Sequence, residues 1–518
     1  MTTDYKSTVF LPKTNFPMKA GLPALEPRLL ERWEKIGLFE KLREKSKGRK
    51  RFVLHDGPPY ANGNIHLGTA LNKILKDIVN RGQQMLGKDA HYVPGWDCHG
   101  LPIEWKIEEQ YRAAGKNKDE VPILQLRAEC RRFAEHWLDV QRSEFKRLGV
   151  LGDWDRRYAT MDFKSEAVIA AELHKFAMNG GLFRGAKPVM WSVVEKTGLA
   201  EAEIEYHDHT SMAIWVKFPI IKATDPALDG ASVVIWTTTP WTMPGNRAIA
   251  YGPGLVYRLY QVDAVGEGSL AKPGERLVLS EGLAEQAMTA AKVTAFKAVS
   301  EALPLAGIVC AHPWRNEGYD FDVPLLPGDF VAADTGTGFV HIAPGHGEDD
   351  WHLGMAHGLE VPETVLPDGT YAPALPLLSG LSVLQQGKDG KYYSPAERPV
   401  MEALKEVGAL LANARLVHSY PHSWRSKAPL IFRTTPQWFI AMDKPDAVGK
   451  TLRQKALAAI DATRFVPPQG RNRIGGMIET RPDWLVSRQR AWGVPIAIFV
   501  DKKSGKILQD ETVNKPIV

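Results

Sequence analysis

One stretch of the chain, residues 52–79, constrains the fold more than any other. Residues 52–54 (Phe-Val-Leu) predict the end of a buried strand. The strand is followed by turn-forming residues, namely Gly57, Pro58, Pro59, Asn62 and Gly63. A helix is predicted to begin near Ile65, because an apolar stripe at three- and four-residue spacing follows, formed by Leu71, Ile74, Leu75, Ile78 and Val79. His66 and Gly68 then lie in the first helical turn, whose unpaired N–H groups and positive dipole charge suit a phosphate.

A family resemblance is carried by three ordered segments: PPYANGNIHLGT, GWDCHGLPIE and RPDWLVSRQRAWGVP. They resemble the signature segments of class I aminoacyl-tRNA synthetases, and in particular the N-terminal portion of the isoleucyl members. The first segment resembles the HIGH motif, whose histidines contact the phosphates of ATP. The resemblance implies ATP binding by Asn62, His66, Gly68 and Thr69, with the last three as the catalytic group. Thr69 replaces the second histidine of the motif, and its hydroxyl can donate a hydrogen bond but carries no charge.

The resemblance also implies a binding site for the amino acid. Asp97 matches the family acid that pairs with the α-ammonium group, a role that requires an acceptor. Gly57, Pro58 and Trp492 match the pocket for the isoleucine side chain, where a proline and an indole form a rigid apolar wall. Taken singly, Asp97 fits a turn or a helix cap equally well, and Trp492 alone predicts core packing.

Two further segments resemble a hydrolytic editing site. Such a site is expected because an apolar pocket gains only about 1–3 kcal/mol from one methylene, a limit for which isoleucyl enzymes are themselves the reference case. WTTTPWTMPGN resembles the family's editing strip, with candidates Thr237, Thr238, Thr239, Thr242 and Asn246 to hold the ester and the attacking water. In DTGTGFVHIAPGHGEDDW, His341 matches a contact to the terminal adenosine of the tRNA, and Asp350 a contact to the misacylated amino group. The alternatives are an exposed strand for the threonines and a metal or phosphate site for GHGEDD. The GHGEDD segment lacks the ligand spacing of a zinc site.

Composition limits the remaining possibilities. The 518 residues are 44% hydrophobic and 24% charged, which is typical of a globular chain with several domains. The net charge of +5 permits a polyanionic partner without requiring one. Three scattered cysteines and the lack of an apolar leader predict a cytoplasmic protein without membrane spans. The expected partners are tRNA(Ile), isoleucine and ATP with its Mg²⁺, and the expected state is a monomer.

The chain is predicted to be an α/β protein, with a Rossmann-like nucleotide-binding catalytic domain interrupted by a mostly β editing domain. Residues 1–50 predict an N-terminal arm with a helix over Glu26–Lys45, and residues 51–200 the first part of the catalytic domain. Short β-branched runs predict the inserted editing domain over residues 201–400. Residues 401–518 predict the return to the catalytic domain.

Two departures from the family pattern shape the remaining expectations. Some relatives carry zinc-binding cysteines near the return, but PVMWSVVEKTG and PHSWRSKAP contain none; Ser192 and Ser426 cannot supply thiolates, so no metal is expected here. No KMSKS-like lysine loop follows the SRQR segment. The sequence therefore predicts an N-terminal fragment impaired in isoleucine activation, an expectation that pyrophosphate exchange at the family's normal rate would contradict. The alternatives are a stand-alone trans-editing deacylase and a non-catalytic tRNA-binding fragment.

Overall fold

The computed structural model describes residues 4–10, 14–15 and 19–518. The chain divides into two compact units. Unit 1 contains the described residues up to His174 together with Arg490–Ala497 and Asp510–Val518. Unit 2 contains Lys175–Gln489 and Ile498–Gln509. Unit 2 is therefore inserted into the sequence of unit 1.

The helices and strands of both units are numbered along the chain. The helices are α1 (Leu22–Lys35), α2 (Leu38–Lys45), α3 (Leu67–Met85), α4 (Leu101–Ala113), α5 (Ile123–Arg147), α6 (Phe163–Met178), α7 (Ala284–Ala290), α8 (Glu348–His357), α9 (Glu397–Glu406), α10 (Leu452–Asp461), α11 (Gly470–Glu479) and α12 (Glu511–Asn514). The strands are β1 (Gly95–Trp96), β2 (Tyr158–Ala159), β3 (Leu182–Ser192), β4 (Thr197–Gly198), β5 (Ile204–Lys222), β6 (Ser232–Thr237), β7 (Ala248–Tyr251), β8 (Tyr257–Val265), β9 (Arg276–Ser280), β10 (Val293–Ala298), β11 (Val309–Ala311), β12 (Asp322–Pro327), β13 (Phe339–Ile342), β14 (Gln385–Gln386), β15 (Tyr392–Tyr393), β16 (Leu410–Ser423), β17 (Ile431–Ile440) and β18 (Trp484–Leu485).

Unit 1 combines helices with short parallel pairings. β1 pairs in parallel with β2, and isolated parallel bridges join Arg51 to Asp89 and Tyr60 to Asp97. Parallel neighbours need a crossover connection, and α3 provides it between the segment that ends at the turn and the segment that leads to β1. The mixed helix and sheet content confirms the α/β fold class.

Helix α3 begins within two residues of its predicted start, but its apolar stripe faces solvent. Leu71 and Ile78 are 60% and 59% exposed, whereas Lys73 and Asn80 are buried. Lys73 forms an ion pair with the carboxylate of Asp56, which is also buried. A buried charge needs such a partner, so this pair fixes the polar side of α3 against the interior. Periodicity identified which residues share a face, but not which face packs inward.

The N-terminal arm contains two helices where the sequence predicts one over Glu26–Lys45. α1 ends before Gly37, and α2 begins directly after it. Gly37 has a φ of 60°, which lies in the left-handed region that glycine adopts readily and that interrupts a right-handed helix.

Unit 2 is built around a large mixed sheet. Its ten strands follow the order β10-β8-β9-β6-β13-β7-β12-β11-β5-β16, and an additional pairing joins β6 to β5. That pairing closes β6, β13, β7, β12, β11 and β5 into a barrel, whose interior is filled by apolar side chains such as Val216, Phe218, Val233 and Ile235. A second sheet has the order β18-β17-β3-β4. This part of the chain confirms the predicted mostly β region.

The described residues include no helix that is both long enough and apolar enough to cross a bilayer.

Candidate functional site

The first candidate site is the corner at the start of α3, where His66 is the N-cap. His66 has an extended backbone, and its Nδ1 accepts hydrogen bonds from the backbone N–H groups of Gly68 (3.0 Å) and Thr69 (3.3 Å). The expectation that the N–H groups of this turn are unpaired is therefore wrong for these two residues. Because Nδ1 accepts, a neutral ring carries its proton on Nε2. The side chain is exposed, so Nε2–H is the donor that remains for a phosphate oxygen.

Gly68 is needed for this cap. A Cβ at Gly68 would lie 2.9 Å from Cε1 of His66, a separation that side chains do not tolerate, so the imidazole would have to move. We expect Gly68→Ala to displace the imidazole and, relative to the control variant, to lower the free energy of unfolding by about 1 kcal/mol, the usual contribution of an N-cap. Gly82→Ala in the same helix is the control, because a Cβ there meets nothing within 4 Å. Urea unfolding measures the difference, and equal free energies of unfolding for the two variants would contradict the cap.

Asp97 contacts the turn that leads to this corner. Its backbone N–H donates to the carbonyl of Pro59 (2.9 Å), and its carbonyl accepts from the N–H of Ala61 (3.1 Å). The carboxylate accepts a hydrogen bond from Thr160 Oγ1 at 3.3 Å and remains partly exposed. The structure therefore brings the predicted ammonium-binding aspartate next to the turn that contains Asn62.

Trp492 is placed near Asp97, but its indole is covered. It is 1% exposed, and its Nε1 donates to the carbonyl of Cys98 at 2.6 Å. The guanidinium groups of Arg127 and Arg131 lie 5.5 Å and 5.4 Å from the ring centre, and the His99 ring lies 5.2 Å away. In this structure the indole is a core group, as the bland alternative predicts.

The other two predicted pocket residues lie on the loop before the corner. Gly57 is exposed and Pro58 is partly buried. Lys76 Nζ donates to the carbonyl of Gly57 at 3.4 Å and forms an ion pair with Asp56. These contacts hold the loop on the polar side of α3.

The second candidate site lies in unit 2, where the threonine strip meets β13. Thr242 Oγ1 lies 2.8 Å from His341 Nε2, and Asn246 Nδ2 lies 3.0 Å from His341 Nδ1. Thr242 donates its own proton to the carbonyl of Thr239 at 2.8 Å. His341 therefore donates from Nε2 and accepts at Nδ1, so both ring nitrogens are occupied. Burial lowers the pKa of His341 to about 3, and the ring is neutral at physiological pH.

The candidate residues of the strip divide into buried and accessible groups. Thr237, Thr242 and Asn246 are buried. Thr238 and Thr239 are only partly buried and line a cavity of about 100 Å³. Its wall also includes His209, Trp241, Glu397 and Tyr420. Thr238 and Thr239 are thus the accessible part of the strip. The hydrogen bonds of His341 hold the buried part, Thr242 and Asn246, in place.

Asp350 lies in the first turn of α8 and bonds to the residue that follows β13, the strand that contains His341. Its carboxylate accepts a hydrogen bond from the N–H of Ala343 at 2.9 Å. Burial raises the pKa of Asp350 to about 7. His346, in the loop between β13 and α8, bonds through its two ring nitrogens to the carbonyl of Phe432 (2.9 Å) and to Thr364 Oγ1 (2.5 Å). Burial lowers its pKa to about 4.

The two serines considered for metal binding do come close together in unit 2. The N–H of Ser426 donates to Glu195 Oε1 at 3.1 Å, and the N–H of Glu195 donates to Ser192 Oγ at 3.2 Å. No group of three or more histidine, cysteine or acidic residues suited to a metal ion occurs among the described residues.

Sequence reasoning missed Gln141 and Glu144 of α5, whose side chains hold the turn before His66. Gln141 is buried within the apolar face formed by Cys130, Ala134, Leu138 and Phe145. The sequence did contain a signal, namely a polar residue at the helical spacing of an apolar face. Such a residue is expected to be buried, and a buried amide indicates hydrogen-bond partners in the interior.

Comparisons with known proteins show the family of this chain. A family model described as tRNA synthetases class I (I, L, M and V) matches residues 28–517, so the chain belongs to the class I tRNA synthetase family. It is 58% identical to the isoleucine–tRNA ligase of Caulobacter vibrioides, over 99% of this chain and 54% of that protein. It is 56% identical to those of Bradyrhizobium diazoefficiens and Agrobacterium fabrum, again over 99% of this chain and 54% of each relative. The chain spans about half the length of these curated relatives.

Proposed function

We propose that this chain contributes to an isoleucine–tRNA ligase, which activates isoleucine with ATP and transfers it to tRNA(Ile). The observation that carries the proposal is the contact between Asp97 and the turn at Pro59 and Ala61, which sets a partly exposed carboxylate on the turn that leads to the corner capped by His66. An ammonium group and a phosphate need acceptors and donors of this kind within one site. The choice of isoleucine as the amino acid comes from the names of the relatives.

Activation is a displacement at the α-phosphorus of ATP, in which the isoleucine carboxylate forms a P–O bond and pyrophosphate leaves. We assign Asp97 to the ammonium group and His66 Nε2–H to a phosphate oxygen, so that both reactants are held in line. Mg²⁺ arrives with ATP as part of the substrate. The parallel segments of unit 1 serve as the Rossmann-like nucleotide-binding part. Gly57 and Pro58 contact the side chain of the amino acid, and Asn62, Gly68 and Thr69 contact ATP.

We assign unit 2 to the hydrolysis of mischarged Val-tRNA(Ile). A water adds to the ester carbonyl and the bond to the ribose oxygen breaks. The ribose oxygen takes one proton of the water and becomes a hydroxyl, while valine leaves as the carboxylate and the second proton passes to solvent. Thr238 and Thr239 line the accessible cavity and hold the ester. We assign His341 to holding Thr242 and Asn246 in place as a neutral group, since its burial, occupied nitrogens and low pKa make it unsuitable as a base.

Deacylation of Val-tRNA(Ile) by the purified chain tests this assignment. We expect Thr238→Ala and Asp350→Ala each to slow hydrolysis by about 10- to 100-fold, since each removes a contact to the ester or the ammonium group. Thr294→Ala, on exposed β10, is the matched control and should leave the rate unchanged. Unchanged hydrolysis in both site variants would refute the editing function.

Asp350 should give this hydrolysis a pH dependence. The carboxylate must be ionised to bind an ammonium group, and its pKa is about 7. We expect the enzymatic kcat/KM for Val-tRNA(Ile), corrected for spontaneous hydrolysis, to be about 30-fold lower at pH 5.5 than at pH 8. The ratio for Asp350→Asn should stay near one. A wild-type profile as flat as that of this variant would contradict the role of Asp350.

The same pKa predicts a change in stability. The folded-state pKa of Asp350 lies above its ordinary value of 3.8, so folding favours the protonated carboxyl. The resulting stabilisation is complete below about pH 4 and is lost as the pH rises through about 7. Between pH 5 and pH 8 the wild type should therefore lose more free energy of unfolding than Asp350→Asn, as measured by urea titration.

A stand-alone deacylase is the second candidate function. It is favoured by the compactness of unit 2, which contains the complete network around His341. Isoleucine and ATP binding by the same chain distinguishes the two, because a deacylase alone needs neither ligand. We also propose that the protein is a cytoplasmic monomer. Gel filtration of the purified chain would test the oligomeric state.

A further inference from the structure

The side-chain amide of Gln141 joins the turn at residues 60–63 to β1 through both its nitrogen and its oxygen. Its Nε2 donates to the carbonyl of Tyr60 at 2.9 Å and to the carbonyl of Gly63 at 2.7 Å. Its Oε1 accepts a hydrogen bond from the indole Nε1–H of Trp96 at 3.0 Å. The side chain is 3% exposed, so water cannot replace these bonds without opening the core. Trp96 directly precedes Asp97 in the chain.

Glu144 lies three residues further along α5, on the same side of the helix. Its Oε1 accepts from Asn64 Nδ2 at 2.7 Å, and its Oε2 accepts from the backbone N–H of Ile65 at 2.9 Å. Both donors immediately precede His66. Gln141 and Glu144 therefore hold residues 60–65 by their backbone at three points and by one side chain.

We propose that Gln141 and Glu144 are positioning residues for isoleucine activation. They set the distance between His66, which follows the turn, and Asp97, which follows Trp96. The inference rests on the proposed function, because it assumes that ATP binds at His66 and the amino acid at Asp97. Neither residue is assigned a contact with a substrate. Each acts through the turn at residues 60–65.

The chemistry of the two side chains makes the inference specific. Position 141 needs two donors toward the carbonyls and one acceptor toward the indole, which a glutamine amide supplies and a glutamate carboxylate does not. Gln141→Glu would place negative charge against the carbonyl oxygens of Tyr60 and Gly63. Position 144 needs two acceptors, and a glutamine there keeps one for the N–H of Ile65.

Titration calorimetry with ATP and with isoleucine, combined with urea unfolding, tests the proposal on the purified chain. We expect Gln141→Glu to weaken both ligands by about tenfold or more, because it disturbs both sides of the site. Glu144→Ala should weaken ATP by about tenfold and isoleucine by less than about threefold, since Glu144 holds only the turn. Glu144→Gln should recover most of the ATP affinity.

Glu135→Ala, an exposed substitution in α5, is the control and should change neither affinity. A merely structural role would lower both affinities in proportion to the unfolded fraction and would not separate ATP from isoleucine. Equal losses for the two ligands in Glu144→Ala, or affinities unchanged in Gln141→Glu and Glu144→Ala, would overturn the proposal. If Gln141→Glu does not fold, the two Glu144 variants decide. A wild-type chain that binds neither ligand would instead refute the proposed function.

Discussion

Replacement of Glu104 by alanine is expected to lower the free energy of unfolding of unit 1 by about 3–5 kcal/mol, the cost of breaking a buried ion pair from one side. The Glu104 side chain is 1% exposed and lies 3.3 Å from a guanidinium nitrogen of Arg490, which is 4% exposed. Its Oε2 also accepts from the N–H groups of Ala491 and Trp492, both at 2.9 Å. The alanine variant leaves a buried guanidinium and two buried N–H groups without this partner.

Glu109→Ala in the same helix is the matched control for this prediction. Glu109 forms a surface ion pair with Lys106, in which both side chains are more than 40% exposed, and it accepts one hydrogen bond from the indole N–H of Trp105 at 2.9 Å. Exposed pairs contribute about 0–1 kcal/mol, because solvent screens the charges. Urea unfolding followed by tryptophan fluorescence compares the two variants. If the free energy of unfolding falls no more in Glu104→Ala than in Glu109→Ala, the Glu104 carboxylate does not hold residues Arg490–Ala497 in unit 1.

Replacement of Asp97 by alanine is expected to raise the dissociation constant for isoleucine by about 10- to 100-fold, since a hydrogen bond between charged groups contributes about 1.5–3 kcal/mol. The carboxylate is the group that we assign to the substrate ammonium, and Asp97→Asn should lose most of the same affinity because an amide carries no charge. The fold should tolerate both changes, since the bonds that Asp97 makes to Pro59 and Ala61 use its backbone.

Calorimetric titration of isoleucine into each variant measures the effect, and ATP titration provides the control. ATP affinity should change by less than about threefold, because Asp97 is not assigned to a phosphate. Unchanged affinity for isoleucine in both variants would remove Asp97 from the substrate site.

The corner at α3 shows what local sequence patterns can predict. Turn formers followed by a three- and four-residue apolar spacing located the helix to within two residues. The same pattern could not show that His66 caps the helix with its own Nδ1. That bond depends on a rotamer, and Gly68 permits it by leaving room for the ring.

Contacts between distant residues explain most of what the sequence did not predict. The inward side of α3 is set by the ion pair between Lys73 and Asp56, not by the apolar stripe. Gln141 and Glu144 lie about eighty residues from the turn that they hold. A spacing rule compares neighbours along one helix, so it cannot identify partners that only the tertiary fold brings together.

The editing segment shows the same limit in unit 2. Family resemblance selected the threonines, His341 and Asp350 as one set. In the structure, Thr242 and His341 form a buried pair, Thr238 lines a cavity, and Asp350 bonds to the loop that follows the strand containing His341. Sequence similarity shows which residues match a motif, whereas burial separates those that can contact a substrate from those that support them.

Titration of a non-hydrolysable isoleucyl adenylate analogue, isoleucyl-sulfamoyl adenosine, into the purified chain tests joint binding at His66 and Asp97, because one molecule occupies both sides of the site. We expect one binding site per chain, with affinity reduced by about tenfold or more in both His66→Ala and Asp97→Ala. An absence of binding, or equal affinity for the wild type and both variants, would contradict it.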